Sequence, residues 1–268
     1  MNFITPYALL PICDMVYHPY IDVEFEPKDC GIVLCYGLLT SHVKDTLQKL
    51  NPHGKYIFIT RDNDTAFKNG DDFNIDKYPQ VKKWFVTNCD MEDERVDAMP
   101  YGIFCSTKEQ TEEHVNQINR LLVTEKSIYN KVFGCFTINL DRPEIAKYRV
   151  PAKESVFAKT YATWSDRLGV DVYISNIYHH TFTLSPPGGG DDCQRTWESL
   201  YLNSYPIVLR RKTYSHFTDM PIAFVNDWSE INEEWLDKQQ EIMKTKSVER
   251  LDLDYWTNRI LNAKRDLL

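Results

Sequence analysis

The sequence predicts an α/β protein built as two doubly wound, Rossmann-like domains with a cleft between them. Three observations predict it. Short continuous apolar runs, such as Gly31-Ile32-Val33-Leu34-Cys35-Tyr36 and Tyr56-Ile57-Phe58-Ile59, have the composition of parallel strands buried on both faces. Helical patterns alternate with these runs, as βαβ units require. The alternation then restarts near residues 125–130. That restart divides the chain into residues 1–127 and 128–250, with residues 251–268 a closing helix expected to pack back on the first domain.

In chain order, Tyr7 to Cys13 reads as a first strand despite Pro11, ending at Asp14. The run at 31–36 is the next strand. Ser41 then caps a helix to Leu50 whose inner face carries Val43, Leu47 and Leu50. Strands follow at 55–60, 81–86 and 97–103, a helix at 109–122 and a strand at 131–138. In the second half the pattern reads helix 154–168, strand 178–184, helix 192–203, strands 206–210 and 221–225, and helices 235–244 and 253–268.

A chain of 268 residues, 43% hydrophobic and 13% aromatic, has ample material for packed cores. The formal charge of −8 argues against a nucleic-acid duplex as partner, which needs clustered Lys and Arg. No stretch approaches the ~20 apolar residues of a membrane span. Residues 1–10 carry neither a basic region nor a long apolar run, so no signal peptide is expected. Seven scattered cysteines form no CxxC pair, which fits reduced core thiols and a cytoplasmic location.

The chemistry concentrates in Phe182-Thr183-Leu184-Ser185-Pro186-Pro187-Gly188-Gly189-Gly190-Asp191-Asp192-Cys193-Gln194-Arg195-Thr196-Trp197-Glu198. It reads as a strand, a proline- and glycine-rich turn and a helix start. Glycines permit positive φ and close approach of backbone amides to a ligand. Asp191 or Asp192 is placed to cap the helix, whose first N–H groups favour an anion. Arg195 and Glu198 are three apart and share a face. Two readings stand at this point: a tight turn with an N-cap and an Arg195–Glu198 ion pair, or a nucleotide-sugar site.

The run 185–202, followed by Pro206-Ile207-Val208, resembles exostosin-like glycosyltransferases of the GT-B fold. Ile59-Thr60-Arg61-Asp62-Asn63-Asp64, Lys83-Trp84-Phe85-Val86-Thr87-Asn88 and Met99-Pro100-Tyr101-Gly102-Ile103 resemble three further blocks of that family, in its order. Small single-chain members from large viruses and microalgae, chlorovirus-type xylosyltransferases included, are nearest in style. Gln194 and Arg61 stand where the family commonly has His, and Asp62 where it has Asn. Those departures bear on the acceptor and on any His-based catalysis.

The resemblance implies a hexosyl- or pentosyltransferase that moves a sugar, xylose among the plausible ones, from a UDP-sugar to a glycan hydroxyl with inversion and without a metal. It places the diphosphate over Gly188, Gly189 and Gly190 and the helix start, with Ser185 and Asp192 in the donor site. Arg195 would stabilise the departing diphosphate, and Glu198 would accept ribose hydroxyls. Arg142, in Asn139-Leu140-Asp141-Arg142, is the candidate for extra positive charge, ahead of Lys159. The catalytic base is sought first at Asp64, then at Asp14, with His18 last. The competing chemistries are a metal-dependent GT-A-type transferase using Asp62 and Asp64, and a non-catalytic nucleotide- or glycan-binding module. A Rossmann dehydrogenase is disfavoured, because the glycine run lacks GxGxxG spacing.

Overall fold

The structure, a computed structural model, describes residues 2–18, 26, 28–37, 39–61, 66–68, 70, 73–103, 105 and 107–267. Among them the chain is mixed α/β, and its strands form two five-stranded sheets in which every named strand pair is parallel. It divides into two compact units, Met1–Tyr101 with Asp252–Leu268, and Gly102–Leu251.

The first unit opens with a 3-10 turn, Tyr7–Ile12, not the expected strand. Pro11 offers no N–H to a strand ladder, and the first strand forms only beyond it. That strand is β1 (Met15–Tyr17), followed by β2 (Cys30–Tyr36), helix α1 (Thr40–Lys49), β3 (Lys55–Arg61), β4 (Val81–Val86) and β5 (Val96–Ala98). The strands lie in sequential order, β1-β2-β3-β4-β5. Residues 31–36 and 56–61 are buried without interruption, as their apolar runs require. One face carries Ile32, Leu34, Ile57, Ile59 and Phe85 against Trp256 and Ile260 of the C-terminal helix, Leu253–Arg265. On alternate residues, Phe58 and Trp84 join Phe67 and Phe73 in an aromatic cluster.

Arg61, at the end of β3, is fully buried. Its Nη1 donates to the Pro100 carbonyl at 2.7 Å and its Nη2 to the Tyr101 carbonyl. It therefore ties the end of a core strand to the last residues of its unit. Replacing it by Met keeps the stem but removes the donors from two carbonyls. Arg61→Met is expected to destabilise by about 2–4 kcal/mol, read from urea unfolding.

The second unit contains α2 (Lys108–Leu122), β6 (Asn130–Cys135), α3 (Pro143–Val156), β7 (Ala162–Ser165), α4 (Val170–Tyr178), β8 (His180–Leu184), α5 (Gln194–Tyr201), β9 (Tyr205–Leu209), β10 (Ala223–Val225) and α6 (Glu233–Met243). The border thus falls at residues 101–102 and not near 127. Helix α2 belongs with this unit because it packs against α4 and buries Thr111, His114 and Ile118. The Tyr178 hydroxyl also donates to the Thr124 carbonyl, just past its end.

The helix expected at 154–168 is displaced. The chain is helical at 143–156 and 170–178, with a strand between. Pro143 starts α3 at a position where a missing N–H costs nothing, and Pro151 is accommodated inside it. The sheet order is β10-β9-β8-β6-β7. The chain leaves β6 for β7 on one side, then returns across to β8 on the other. That reversal puts a topological switch point between the carboxyl ends of β6 and β8, where open parallel sheets take their ligands. No helix among the described residues is long and apolar enough to cross a membrane.

Candidate functional site

The glycine-rich loop, residues 185–193, leaves the carboxyl end of β8 at that switch point. A chain of hydroxyls anchors it. The Tyr214 hydroxyl donates to the Asp191 carbonyl at 3.0 Å, and lies 2.9 Å from Thr196 Oγ1, itself 3.0 Å from Ser185 Oγ. A carbonyl only accepts, so Thr196 donates to Tyr214 and Ser185 to Thr196. Ser185 is buried and spends its hydroxyl on this anchor, not on a cavity.

The two aspartates do not cap the helix. Cys193 is the N-cap of α5 and makes no side-chain cap bond. Asp192 turns into the core, where its Oδ1 accepts the Trp197 indole N–H at 2.6 Å. Asp191 lies 4.0 Å from Arg211 Nε. Each carboxylate thus has a partner of its own, the Trp197 indole for Asp192 and the Arg211 guanidinium beside Asp191. The glycines are not needed for positive φ either. Among the described residues the left-handed glycines are Gly31 and Gly102. Gly188 lies in close approach to its neighbours: a Cβ there would come within 3.3 Å of both Arg149 Nη2 and Cys193 Sγ. The Gly188 N–H donates to the Gly190 carbonyl, closing the turn, and Gly189 is exposed.

Arg149, on α3, is the residue that sequence reasoning missed. Its Nη1 donates to the Thr137 carbonyl beyond β6 at 2.8 Å and its Nε to the Pro187 carbonyl beyond β8 at 3.1 Å. One guanidinium therefore bridges the loops on either side of the switch point. Arg195 and Arg149 both lie over the Phe136 ring, at 5.8 and 6.0 Å from its centroid. Burial, and the Arg195 charge beside it, push Arg149 below its ordinary value. Arg195 Nε and Nη1 are buried and have no hydrogen-bond partner among the described residues. Neither arginine is ion-paired there. The two guanidiniums repel each other, and the carboxylate nearby, Glu198, is engaged by His114, Tyr173 and Gln194; an anion bound at the arginines relieves that repulsion.

Glu198 is buried, and its partner is not Arg195. Its Oε1 lies 2.9 Å from His114 Nε2 and accepts from Gln194 Nε2 at 2.7 Å, while Oε2 accepts from the Tyr173 hydroxyl at 2.6 Å. The His114 ring faces Oε1 without a well-aligned hydrogen bond. Burial alone would raise the Glu198 carboxyl. The contacts from His114, Tyr173 and Gln194 outweigh it and hold the group below the usual carboxylate range. Burial and the Glu198 charge push the Tyr173 hydroxyl well above its own. Glu198, Arg195, His114 and Tyr173 line one open cavity of about 360 Å³, with Gln194 and Cys193. A second cavity of about 580 Å³ runs past Ile138, Phe157 and Trp164. Its charged residues are Lys153 and Glu154, so it has no surplus positive charge for a diphosphate.

The other expected site residues lie elsewhere. Arg142 is the exposed N-cap of α3 and pairs with Glu144 at 3.0 Å, two turns away from Arg149. Lys159 is exposed beyond the end of that helix. Asp14 belongs to the first unit and precedes β1, at the amino end of the sheet. Its Oδ2 accepts from the Ile32 N–H at 2.8 Å and from Lys264 Nζ at 2.7 Å. Gly31, at φ +144°, makes room for it, since a Cβ there would lie 2.8 Å from the same oxygen. Burial opposes ionisation of Asp14, but the Ile32 and Lys264 contacts overcome it and lower its pKa, which weakens it as a base. Asp14 therefore holds strand and helix together and is withdrawn as a candidate base. Asp62 and Asp64 lie outside the described residues. Among the described residues no group of three or more His, Cys, Asp or Glu is arranged to hold a metal ion.

No protein-family model matches this sequence, and no curated protein matches it either.

Proposed function

We propose that the chain is a glycosyltransferase of GT-B type that binds a UDP-sugar through the Arg149–Arg195 pair. The observation that carries the reading is the Arg195 guanidinium, buried at Nε and Nη1, unpaired among the described residues and set at the switch point beside a glycine-rich turn. The uncapped start of α5 adds N–H donors of the same sign. The chemistry follows from that charge. An acceptor hydroxyl attacks the anomeric carbon, the bond from that carbon to the diphosphate oxygen breaks, and the two arginines stabilise the negative charge left on the diphosphate. The proton passes to a base, for which Asp64 stands as the candidate. A single displacement of this kind inverts the anomeric centre. The seven free cysteines suit a reducing, cytoplasmic setting.

Calorimetry tests the binding half. UDP is expected to bind, and uridine, which lacks the diphosphate, to bind at least about tenfold more weakly, since charge-assisted bonds to an anion contribute roughly 1.5–3 kcal/mol. Equal affinities for UDP and uridine would remove the arginine pair from the argument. Product analysis with a UDP-sugar panel and glycan acceptors tests the chemical half. UDP binding without transfer to any acceptor leaves a nucleotide-binding module. Turnover is expected to persist in EDTA, and its full loss there would transfer the assignment to the metal-dependent reading through Asp62 and Asp64.

A further inference from the structure

The cavity of about 580 Å³ beside β7 shares no wall residue with the arginine cavity, and no residue of the four family-like blocks lines it. One wall comes from Val150, Lys153, Glu154 and Phe157, which are three or four apart along α3 and its C-cap and so share a face. Ile138, beyond β6, and Trp164, on the edge strand β7, form the other. The volume is that of a small-molecule site, roughly 300–1,000 Å³. Three polar groups there are left over. Trp164 Nε1 is buried and has no hydrogen-bond partner among the described residues. Lys153 Nζ lies 3.8 Å from the centre of the Trp164 ring, so its arm covers one face of the indole. Among the described residues neither Lys153 nor the exposed Glu154 beside it is ion-paired.

Those groups select the occupant. A purely apolar ligand would leave the indole N–H without an acceptor and the two charges to solvent. An anion would meet Glu154 and a cation Lys153, and the two charges sum to zero. A neutral ring that carries hydroxyls meets none of these objections. Each hydroxyl both donates and accepts, and the C–H face of the ring packs on aromatic carbon. We propose that this cavity binds a neutral sugar ring, packed on Trp164 and Phe157 with its hydroxyls shared between Lys153 and Glu154. The Lys153 arm, on a flexible four-carbon stem, leaves the indole to do so, and the opening gives the Trp164 N–H a hydroxyl as acceptor. The assignment is independent of the donor reading, since such a ring is held by none of the residues around the arginines and no bond is made or broken.

Nitrogen-15 spectra of the full chain test this. The chain has six tryptophans, and Trp164→Phe identifies which indole N–H signal belongs to Trp164. Methyl glycosides of glucose, galactose, mannose and xylose are the probes, with glucuronate, glucosamine and cyclohexylmethanol as acidic, basic and apolar controls. At least one glycoside is expected to shift the Trp164 signal saturably, and each control to bind at least about fivefold more weakly. Glu154→Ala, at an exposed position outside the core, and Trp164→Phe, which keeps a ring but no N–H, are each expected to weaken that glycoside about fivefold. Both variants are expected to bind UDP as the parent does. A Trp164 signal that no glycoside moves overturns the proposal. Cyclohexylmethanol binding as tightly as the best glycoside overturns it too and leaves an apolar pocket, as does a preference for glucuronate or glucosamine, which leaves a charged one. Glycoside binding that survives both substitutions puts the sugar elsewhere and is equally fatal to the assignment.

Discussion

Arg195→Ala is expected to lower kcat/KM for the UDP-sugar by about 10²–10³-fold while the protein stays folded, the range seen when a single preorganised group facing developing charge is removed. The magnitude follows from the surroundings of the side chain. Nε and Nη1 are out of contact with solvent and have no hydrogen-bond partner among the described residues, so the unliganded protein gains little from them. The ring of Phe136 supports the guanidinium from one side, and Arg149 adds a second positive charge. Truncation leaves no carboxylate stranded, because Glu198 takes its partners from His114, Tyr173 and Gln194. It also relieves repulsion with Arg149, so the melting temperature is expected to hold or to rise. Arg195→Lys should fall between, since an ammonium keeps the charge but not the planar fork that suits phosphate oxygens. Steady-state kinetics and a melting curve on the same samples separate these outcomes. Unchanged turnover in the alanine variant would refute the assignment.

The fold was legible wherever burial on both faces left an uninterrupted apolar run. Residues 31–36 and 56–59 lie in strands for that reason, and the loop at 185–193 showed its turn through its prolines and glycines. Prolines inside elements were misleading in both directions. Pro11 sits in a 3-10 turn where a strand was expected, which carried Asp14 to the wrong end of the sheet. Pro151 sits inside a helix that begins at Pro143, ahead of the one expected at 154–168, and Arg149 lies on that earlier stretch. Yet Pro143 is a helix-start signal, and Arg149 lies two turns after Arg142 on the helix it opens. His114 was also readable, as a histidine on the inner face of a helix that the periodicity had located. The partner of Glu198 was not. Three-residue spacing allows an Arg195–Glu198 pair, but spacing says nothing about α2 or α4, whose contributions come through tertiary packing. The same limit explains the border at residue 102, since the second unit begins with a helix ahead of its first strand.

Glu198→Ala is expected to destabilise the second unit by about 2–4 kcal/mol, the cost of leaving buried polar groups without their acceptor. The loss is larger than that of the carboxylate's own packing. His114, Gln194 and Tyr173 would each keep a polar group directed at a vacated, largely buried position, and groups deprived of their acceptor lose the most. Glu198→Gln separates shape from charge. It fills the same volume and its oxygen still accepts, but its NH₂ faces one of three donors, so about half of the effect should remain. The pH dependence has a defined sign. The Glu198 carboxyl is lowered in the folded state, so its contribution is present above the ordinary glutamate range and is lost as pH falls through that range towards the folded value. Denaturant midpoints at near-neutral and at acidic pH should therefore converge for the parent and Glu198→Gln. A gap between them that stays constant with pH would mean that the charge of Glu198 contributes nothing to stability. The four-residue network would then be held by shape and neutral hydrogen bonds alone.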